Sequence, residues 1–238
     1  MRILVVNDDG IHAEGIYHLA KMAKNLGEVW VVAPDEQCSA MSHRITVHGS
    51  IEVKKENDFL DGVKAYCVKG TPADCVKVGI QHVMPRKPDI VFSGINYGYN
   101  VGFDILYSGT VGAAMEALLS GIPAIAFSKE MNNNYELVDA HLLSITNDLM
   151  NRPITKNEIW NVNIPGCPIS EFKGILDERL PSQDSFHLDN YDRVELEGGD
   201  FRLNINGIGN TNAELGTDMK AVLDNYISIG KVKNTILI

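Results

Sequence analysis

The sequence predicts an α/β fold, a three-layer αβα sandwich around a mostly parallel, doubly wound sheet, with a C-terminal antiparallel hairpin appendage. Three observations point there. Apolar runs such as Ile3–Val6, Glu28–Ala33 and Ile122–Phe127 are nearly unbroken, as in strands buried on both faces. Stretches with apolar residues at helical spacing separate them, so β and α elements alternate to residue 165. Beyond Pro165 the pattern changes to short runs of polar alternation.

Each element has its own justification. Ile3-Leu4-Val5-Val6 is a strand that ends abruptly in Asn7-Asp8-Asp9-Gly10. Gly15 to Leu26 places Ile16, Leu19, Ala20, Ala23 and Leu26 on one helical stripe, and Gly27 supplies the stop. Glu28 to Ala33 is the next strand, ended by Pro34. Strand, helix and strand together have the size of a βαβ unit. Residues 35 to 62 are polar, with alternation in Ile45-Thr46-Val47 and Ile51-Glu52-Val53. They predict a loop and then a hairpin outside the parallel sheet. Ala65 to Val68 is a short strand. Thr71-Pro72-Ala73-Asp74 opens a helix running to about Val83, with Thr71 as N-cap, Pro72 at the first position and Asp74 in the first turn.

Asp89 to Phe92 is a strand that ends in the polar, glycine-bearing segment Ser93-Gly94-Ile95-Asn96. Gly109 to Ser120 is a helix with Val111, Ala114, Met115, Leu118 and Leu119 on one stripe, stopped by Gly121. Ile122 to Phe127 is a strand, Glu136 to Met150 a helix and Ile159 to Ile164 a strand. Phe172 to Leu176, Arg193 to Glu197 and Phe201 to Ile205 read as antiparallel strands, and Asp218 to Asn225 as a short helix. Tyr226 to Ile238 carries two short β-prone runs. One domain, 1–238, is expected: a Rossmann-like α/β core over 1–165 and a hairpin and tail over 166–238 that serves oligomerisation.

The 238 residues are 45% hydrophobic, enough for a sizeable core. The formal net charge of −10 and the lack of any Lys/Arg-rich run exclude binding to long nucleic acid. No apolar stretch reaches the length of a membrane span, and the N-terminus runs straight into a strand with no signal-peptide pattern. Four cysteines without CxxC spacing suit free thiols, so no membrane association and a cytoplasmic location are expected, and zinc is not suggested.

Asp8 and Asp9 stand at the carboxyl end of the first strand, where open α/β sheets bind ligands. Side-by-side buried carboxylates are costly unless a positive charge neutralises them, and a hard divalent cation prefers oxygen ligands. The alternative is a solvated turn in which Asp9 caps the following helix. Asn96 follows the DIVF strand and offers a neutral amide oxygen, or serves as a turn residue. Ser108-Gly109-Thr110 precedes a helix and suits an anion, or caps that helix. Ser39, after the second strand, is a hydroxyl ligand or a turn residue, and His43 and Arg44 lie near enough to meet a substrate. His12, His18 and His82 read as surface or structural. No Walker motif, no GxGxxG after strand one and no GxSxG is present.

Taken together, NDDG at 7–10, APDEQCSAMSHRIT at 33–46, KGTPADCV at 69–76, SGINYGYNVGFDILYSGTVGAAMEA at 93–117 and GIPAIAFS at 121–128 resemble the stationary-phase survival protein SurE family. NVNIP at 161–165 and GTDMKAV at 216–222 resemble its later landmarks. The resemblance implies a divalent-metal-dependent phosphatase of nucleoside 5′- and 3′-monophosphates, with action on short polyphosphate in some members. It implies metal ligands Asp8, Asp9, Ser39 and Asn96, one Mg²⁺ or Mn²⁺ per subunit, and phosphate contacts at Asn96, Ser108, Gly109 and Thr110. Asp8, Asp9 and Asn96 carry the catalysis. It also implies a homodimer, or a homotetramer, built on the C-terminal hairpin and tail.

The chain departs from the family in the 41–44 loop, where Met41, Ser42, His43 and Arg44 stand, and at its ending NYISIGKVKNTILI. Ser42, His43 and Tyr97 are candidate substrate contacts, Tyr97 by stacking on a base. Two rival readings remain at this level: an aspartyl-phosphate intermediate at Asp8, and a nucleotide-binding or metal-sensing module without turnover.

Overall fold

The computed structural model describes residues 1–237, so Ile238, the end of the expected second run in the tail, lies outside the described residues. Among the described residues, thirteen strands form one nine-stranded sheet and two two-stranded sheets, accompanied by five α-helices. The core strands are β1 (Arg2–Val6), β2 (Glu28–Pro34), β4 (Lys64–Val68), β5 (Ile90–Tyr97), β6 (Ala124–Lys129) and β7 (Glu158–Ile164), all mutually parallel. β3 (Val53–Glu56) is an antiparallel edge strand beside β4. The order across the large sheet is β3-β4-β2-β1-β5-β6-β7-β13-β8, with β13 (Tyr226–Lys233) and β8 (Gly174–Arg179) at the far edge.

The unbroken apolar character of β1 has a direct cause. Successive strand residues point to opposite faces. Ile3 and Val5 pack with α1 (Glu14–Ala23) and α4 (Glu136–Asn151) on one side. Leu4 and Val6 pack with α2 (Pro72–Val78) and α3 (Gly109–Leu119) on the other. Both faces are covered, so every position must be apolar. Chain direction across the sheet reverses next to β1: β2 and β4 lie to one side, β5, β6 and β7 to the other. The crevice between β1 and β5 is therefore the switch point at which such sheets bind ligands.

Several sequence expectations change. Ile45-Thr46-Val47 forms no strand, and the hairpin expected outside the sheet is replaced by β3 joining the sheet itself. The reason is that β4 would otherwise expose an unpaired edge. The strand expected at Phe172–Leu176 is β8, and it runs parallel, not antiparallel, to β13. Of the two runs expected in the tail, β13 takes in residues only as far as Lys233, antiparallel to β7, and residues 234–237 form no strand. The large sheet thus extends past residue 165 through β8 and β13. What protrudes is the segment between them, with the hairpin of β10 (Tyr191–Glu195) and β11 (Phe201–Ile205) and the pair β9 (His187–Leu188) and β12 (Ile208–Gly209). α5 (Asp218–Leu223) follows it. No helix among the described residues is long and apolar enough to cross a membrane.

Candidate functional site

The turn after β1 is closed by the buried Asn7, whose Nδ2 donates to the Gly10 carbonyl at 2.8 Å. Gly10 has φ +97°, a conformation that favours glycine, and this lets the chain reverse within NDDG. Asp8 is directed inward and is 3% exposed. Thr110, in the first turn of α3, donates its hydroxyl to Asp8 Oδ1 at 2.5 Å and its backbone N–H to Oδ2 at 3.1 Å. The neighbouring Gly109 is what permits this approach: a Cβ there would lie 2.9 Å from the Asp8 Cβ. Burial, and after it the Asp9 charge, push the Asp8 carboxyl up to about 6, against the pull of the two Thr110 bonds.

Asp9 does not cap the next helix. The N-cap of α1 is Ala13, without a side-chain bond. Asp9 Oδ2 instead accepts from the Tyr97 amide at 2.8 Å, which ties the end of β1 to the end of β5. Burial raises the Asp9 carboxyl as well, opposed by the bonds from Tyr97 and Gln37.

Asn96 lies within β5, where the sequence placed it just past a strand. The pairing of β5 with β6 slips between Ser93 and Asn96, and Asn96 resumes it beside Ser128. The Asn96 Nδ2 donates to the Gly98 carbonyl at 2.8 Å, so the amide oxygen is turned away from its own turn and accepts no bond there. The Asp8 carbonyl accepts from the Cys38 amide at 2.7 Å, which brings the loop carrying Ser39 over the same strand ends.

Asp8, Ser39, Asn96 and Ser108 all line one cavity of about 530 Å³. Asp9 lies just behind, joined through Tyr97. Ser108 is the N-cap of α3, its Oγ accepting from the Val111 amide at 3.1 Å. Gly109 and Thr110 stand behind Asp8 and are not part of the cavity lining. The Thr110 donors expected to face a phosphate are spent on orienting Asp8. Ser42 and His43 do not line the cavity either. Ser42 donates to the Leu106 carbonyl at 2.7 Å, which pins the 41–44 loop to the segment before α3, and His43 Nε2 meets Glu116 Oε2 at 2.8 Å, which pins it to α3. Tyr97 does line the cavity and is 41% exposed.

The cavity also uses residues that the sequence reading did not single out: Asp104 and Tyr107 within the 93–117 motif, and Met131, Ser185, His187 and Asp189 outside every motif. Lys129, fully buried at the end of β6, holds its ammonium against the carbonyls of Glu130 and Asn132, with the Tyr97 ring 5.4 Å away. The bare alternation of residues around Ser185 carries no chemical spacing that could have announced it.

The donor set suits a hard cation. It consists of two carboxylates, a hydroxyl and an amide oxygen, with no thiol or imidazole among them. Cys38 turns its Sγ away toward the Glu36 and Gly70 carbonyls. Burial is the main cause of the raised Asp8 and Asp9 carboxyls, and the neighbouring Asp9 charge adds to the rise at Asp8.

Comparison with known proteins finds relatives over nearly the whole chain. The profile of the family described as Survival protein SurE matches residues 3–184. A protein of Alkaliphilus metalliredigens named 5′-nucleotidase SurE is 40% identical over 237 residues, covering 96% of this chain and 91% of that protein. One of the same name from Thermoanaerobacter sp. (strain X514) is 39% identical over 232 residues, covering 96% and 90%. The crystal structure of the SurE protein from Aquifex aeolicus superposes with a TM-score of 0.83 at 36% identity, over 98% of this chain and 93% of that one. With the NDDG turn, the slipped end of β5 and the Ser108–Thr110 helix start meeting at one switch point, the chain belongs to the SurE family.

Proposed function

We propose that this chain is a divalent-metal-dependent phosphatase that hydrolyses nucleoside 5′- and 3′-monophosphates to nucleoside and phosphate. The observation that carries the reading is that Asp8, Ser39, Asn96 and Ser108 line a single cavity. The names of the relatives, 5′-nucleotidase SurE, support it. Asp8, Asp9, Ser39 and Asn96 would hold one Mg²⁺ or Mn²⁺ per subunit. Such an ion, when bound, polarises a phosphoryl oxygen and lowers the pKa of a bound water.

The chain's own residues do the rest. Thr110 fixes both Asp8 oxygens, so the carboxylate keeps one orientation through the reaction. This use of both oxygens favours Asp8 as a ligand over Asp8 as a nucleophile. The amino-terminal turn of α3 directs its partial positive charge to the end of the cavity where charge builds on the phosphoryl group. Tyr97 and Met131 offer apolar surface beside that end for the nucleoside.

The reading includes a cytoplasmic homodimer. The exposed Tyr191, Phe201, Leu203 and Ile205 of the β10–β11 hairpin supply an apolar arm for a second copy. A homotetramer would use the same arm together with the tail.

The test is phosphate release from a panel of nucleoside 5′- and 3′-monophosphates, each with Mg²⁺, Mn²⁺, Ca²⁺ or EDTA. Release that needs the metal supports the reading. Metal-dependent nucleotide binding with no release would replace it with a binding module, and a trapped phosphoenzyme would replace water with Asp8 as the attacking group.

A further inference from the structure

The loop that carries Ser39 is held on either side of that residue and not at the residue itself. Ser39 is exposed, and its hydroxyl makes no hydrogen bond among the described residues. Before it, the Cys38 amide donates to the Asp8 carbonyl at 2.7 Å. After it, Ala40 and Ser42 stand at φ +55° and +52°, in the left-handed region that residues with a Cβ adopt rarely and at a cost. Such a backbone keeps its shape only where its surroundings impose it.

Those surroundings are α3 and the segment before it. Ser42 donates its amide to the Tyr107 carbonyl at 2.9 Å and its hydroxyl to the Leu106 carbonyl at 2.7 Å. Leu106 and Tyr107 are themselves exposed. The contact with α3 reaches a buried group. His43 Nε2 donates to Glu116 Oε2 at 2.8 Å, and the Lys77 ammonium of α2 stands 3.8 Å from Glu116 Oε1. Gly112 lets the loop lie against the helix, since a Cβ there would come 2.3 Å from the Ser42 carbonyl oxygen.

Glu116 is 8% exposed. A carboxylate in such a place costs free energy unless it is paired, and packing alone calls for an apolar residue. Thr110 and Glu116 are the two polar side chains among the buried residues of α3. Thr110 is bonded to Asp8, and Glu116 to the loop that bears Ser39. Both lead to a ligand of the proposed cation.

We propose that Glu116 is a positioning residue: through His43 it holds residues 39–43 in their left-handed turn and so fixes where the Ser39 hydroxyl stands. This rests on the metal-dependent reading above. One rigid helix then orients two donors of the cation site, Asp8 through Thr110 and Ser39 through His43 and Glu116. Neither Glu116 nor His43 lines the cavity, so both act through Ser39.

The experiment measures Mn²⁺ affinity by isothermal titration calorimetry, with Tm on the same samples. The chains are the natural one, Glu116→Gln, Glu116→Leu, His43→Phe and Ser39→Ala, with Glu116→Leu and His43→Phe also made in the Ser39→Ala background. Glu116→Leu and His43→Phe should each weaken Mn²⁺ binding about tenfold. Glu116→Gln keeps an oxygen that accepts from His43 and should retain most of the affinity. In the Ser39→Ala background the same two changes should have little further effect, because the group they position is gone. Should Glu116→Leu not fold, His43→Phe carries the comparison. An equal loss in both backgrounds marks a merely structural role and overturns the proposal. So does an unchanged Kd in folded His43→Phe, or a Ser39→Ala chain that binds Mn²⁺ as the natural one does. In each of these cases metal-dependent phosphate release by the natural chain leaves the phosphatase reading standing. Neither Mn²⁺ binding nor phosphate release in the natural chain removes that reading and this proposal with it.

Discussion

Thr110 grips Asp8 with two donors, its hydroxyl on Oδ1 and its amide on Oδ2, across 102 positions of sequence. The first turn of α3 thereby becomes an orienting bracket for the end of β1. Thr110→Val keeps the shape and the amide but removes the hydroxyl. Metal affinity, read by isothermal titration with Mn²⁺, should fall about 10–100-fold, as when a partner that orients a metal ligand is lost. Thr110→Ser should restore most of it. An unchanged affinity in Thr110→Val would show that the amide alone orients Asp8.

Asp8→Asn separates activity from stability. Burial and the neighbouring Asp9 charge raise the Asp8 carboxyl, so an ionised Asp8 without a cation is expected to cost stability. An amide of the same shape removes that cost, so metal-free Asp8→Asn should melt at or above the natural chain while phosphate release drops about 100-fold or more. In the natural chain, Mn²⁺ at about 100 times its Kd should add about 2.7 kcal/mol, or roughly 5–10 °C in Tm, reversed by EDTA. Asp8→Asn should lose most of that gain. Full activity in Asp8→Asn after exhaustive EDTA dialysis would sink the metal site.

Gly109→Ala sets a local gain against a displaced ligand. Alanine is a better helix former than glycine by about 0.5–1 kcal/mol. Its Cβ would, however, meet Asp8 at 2.9–3.0 Å, tighter than ordinary packing allows. The expected outcome is a nearly unchanged Tm with kcat/KM down about tenfold or more, since small misplacements of reacting groups are expensive. Differential scanning calorimetry and phosphate release on the same sample decide it.

Asp74 gives a pH signature. Burial pushes its carboxyl up, but the bonds from Thr46 and from Thr71, with which it forms a capping box, outweigh burial and hold it below the usual carboxylate value. A lowered folded-state pKa stabilises above the unfolded value of about 4, and that contribution is lost as pH falls through the folded value. Asp74→Ala should cost about 1–3 kcal/mol at pH 7 by urea unfolding. The gap between the two chains should shrink at pH 3. A gap that widens at low pH would contradict the capping role.

Much of the scaffold could be read from sequence because burial on both faces imposes a local pattern. Ile3–Val6, Thr71–Asp74 and the stripe Val111, Ala114 and Leu118 each became the expected strand, capped helix start or buried helix face. Ile45-Thr46-Val47 failed because alternation alone cannot supply a pairing partner. Thr46 is instead taken up by bonds to Asp74. β8 failed in direction, since the same residues fit a parallel or an antiparallel neighbour and β13 decides which.

The sequence by itself marked the ends of β1 and β5 as the candidate site, because two adjacent acids after a buried strand need a compensating charge. Only the tertiary structure decided how those groups are used. It spent Thr110 on Asp8, Ser42 and His43 on pinning a loop, and it brought His187 and Asp189 into the cavity lining. Periodicity records which face of an element is buried. It holds no record of which distant element comes to lie beside it, and part of this cavity's lining is made of such distant residues.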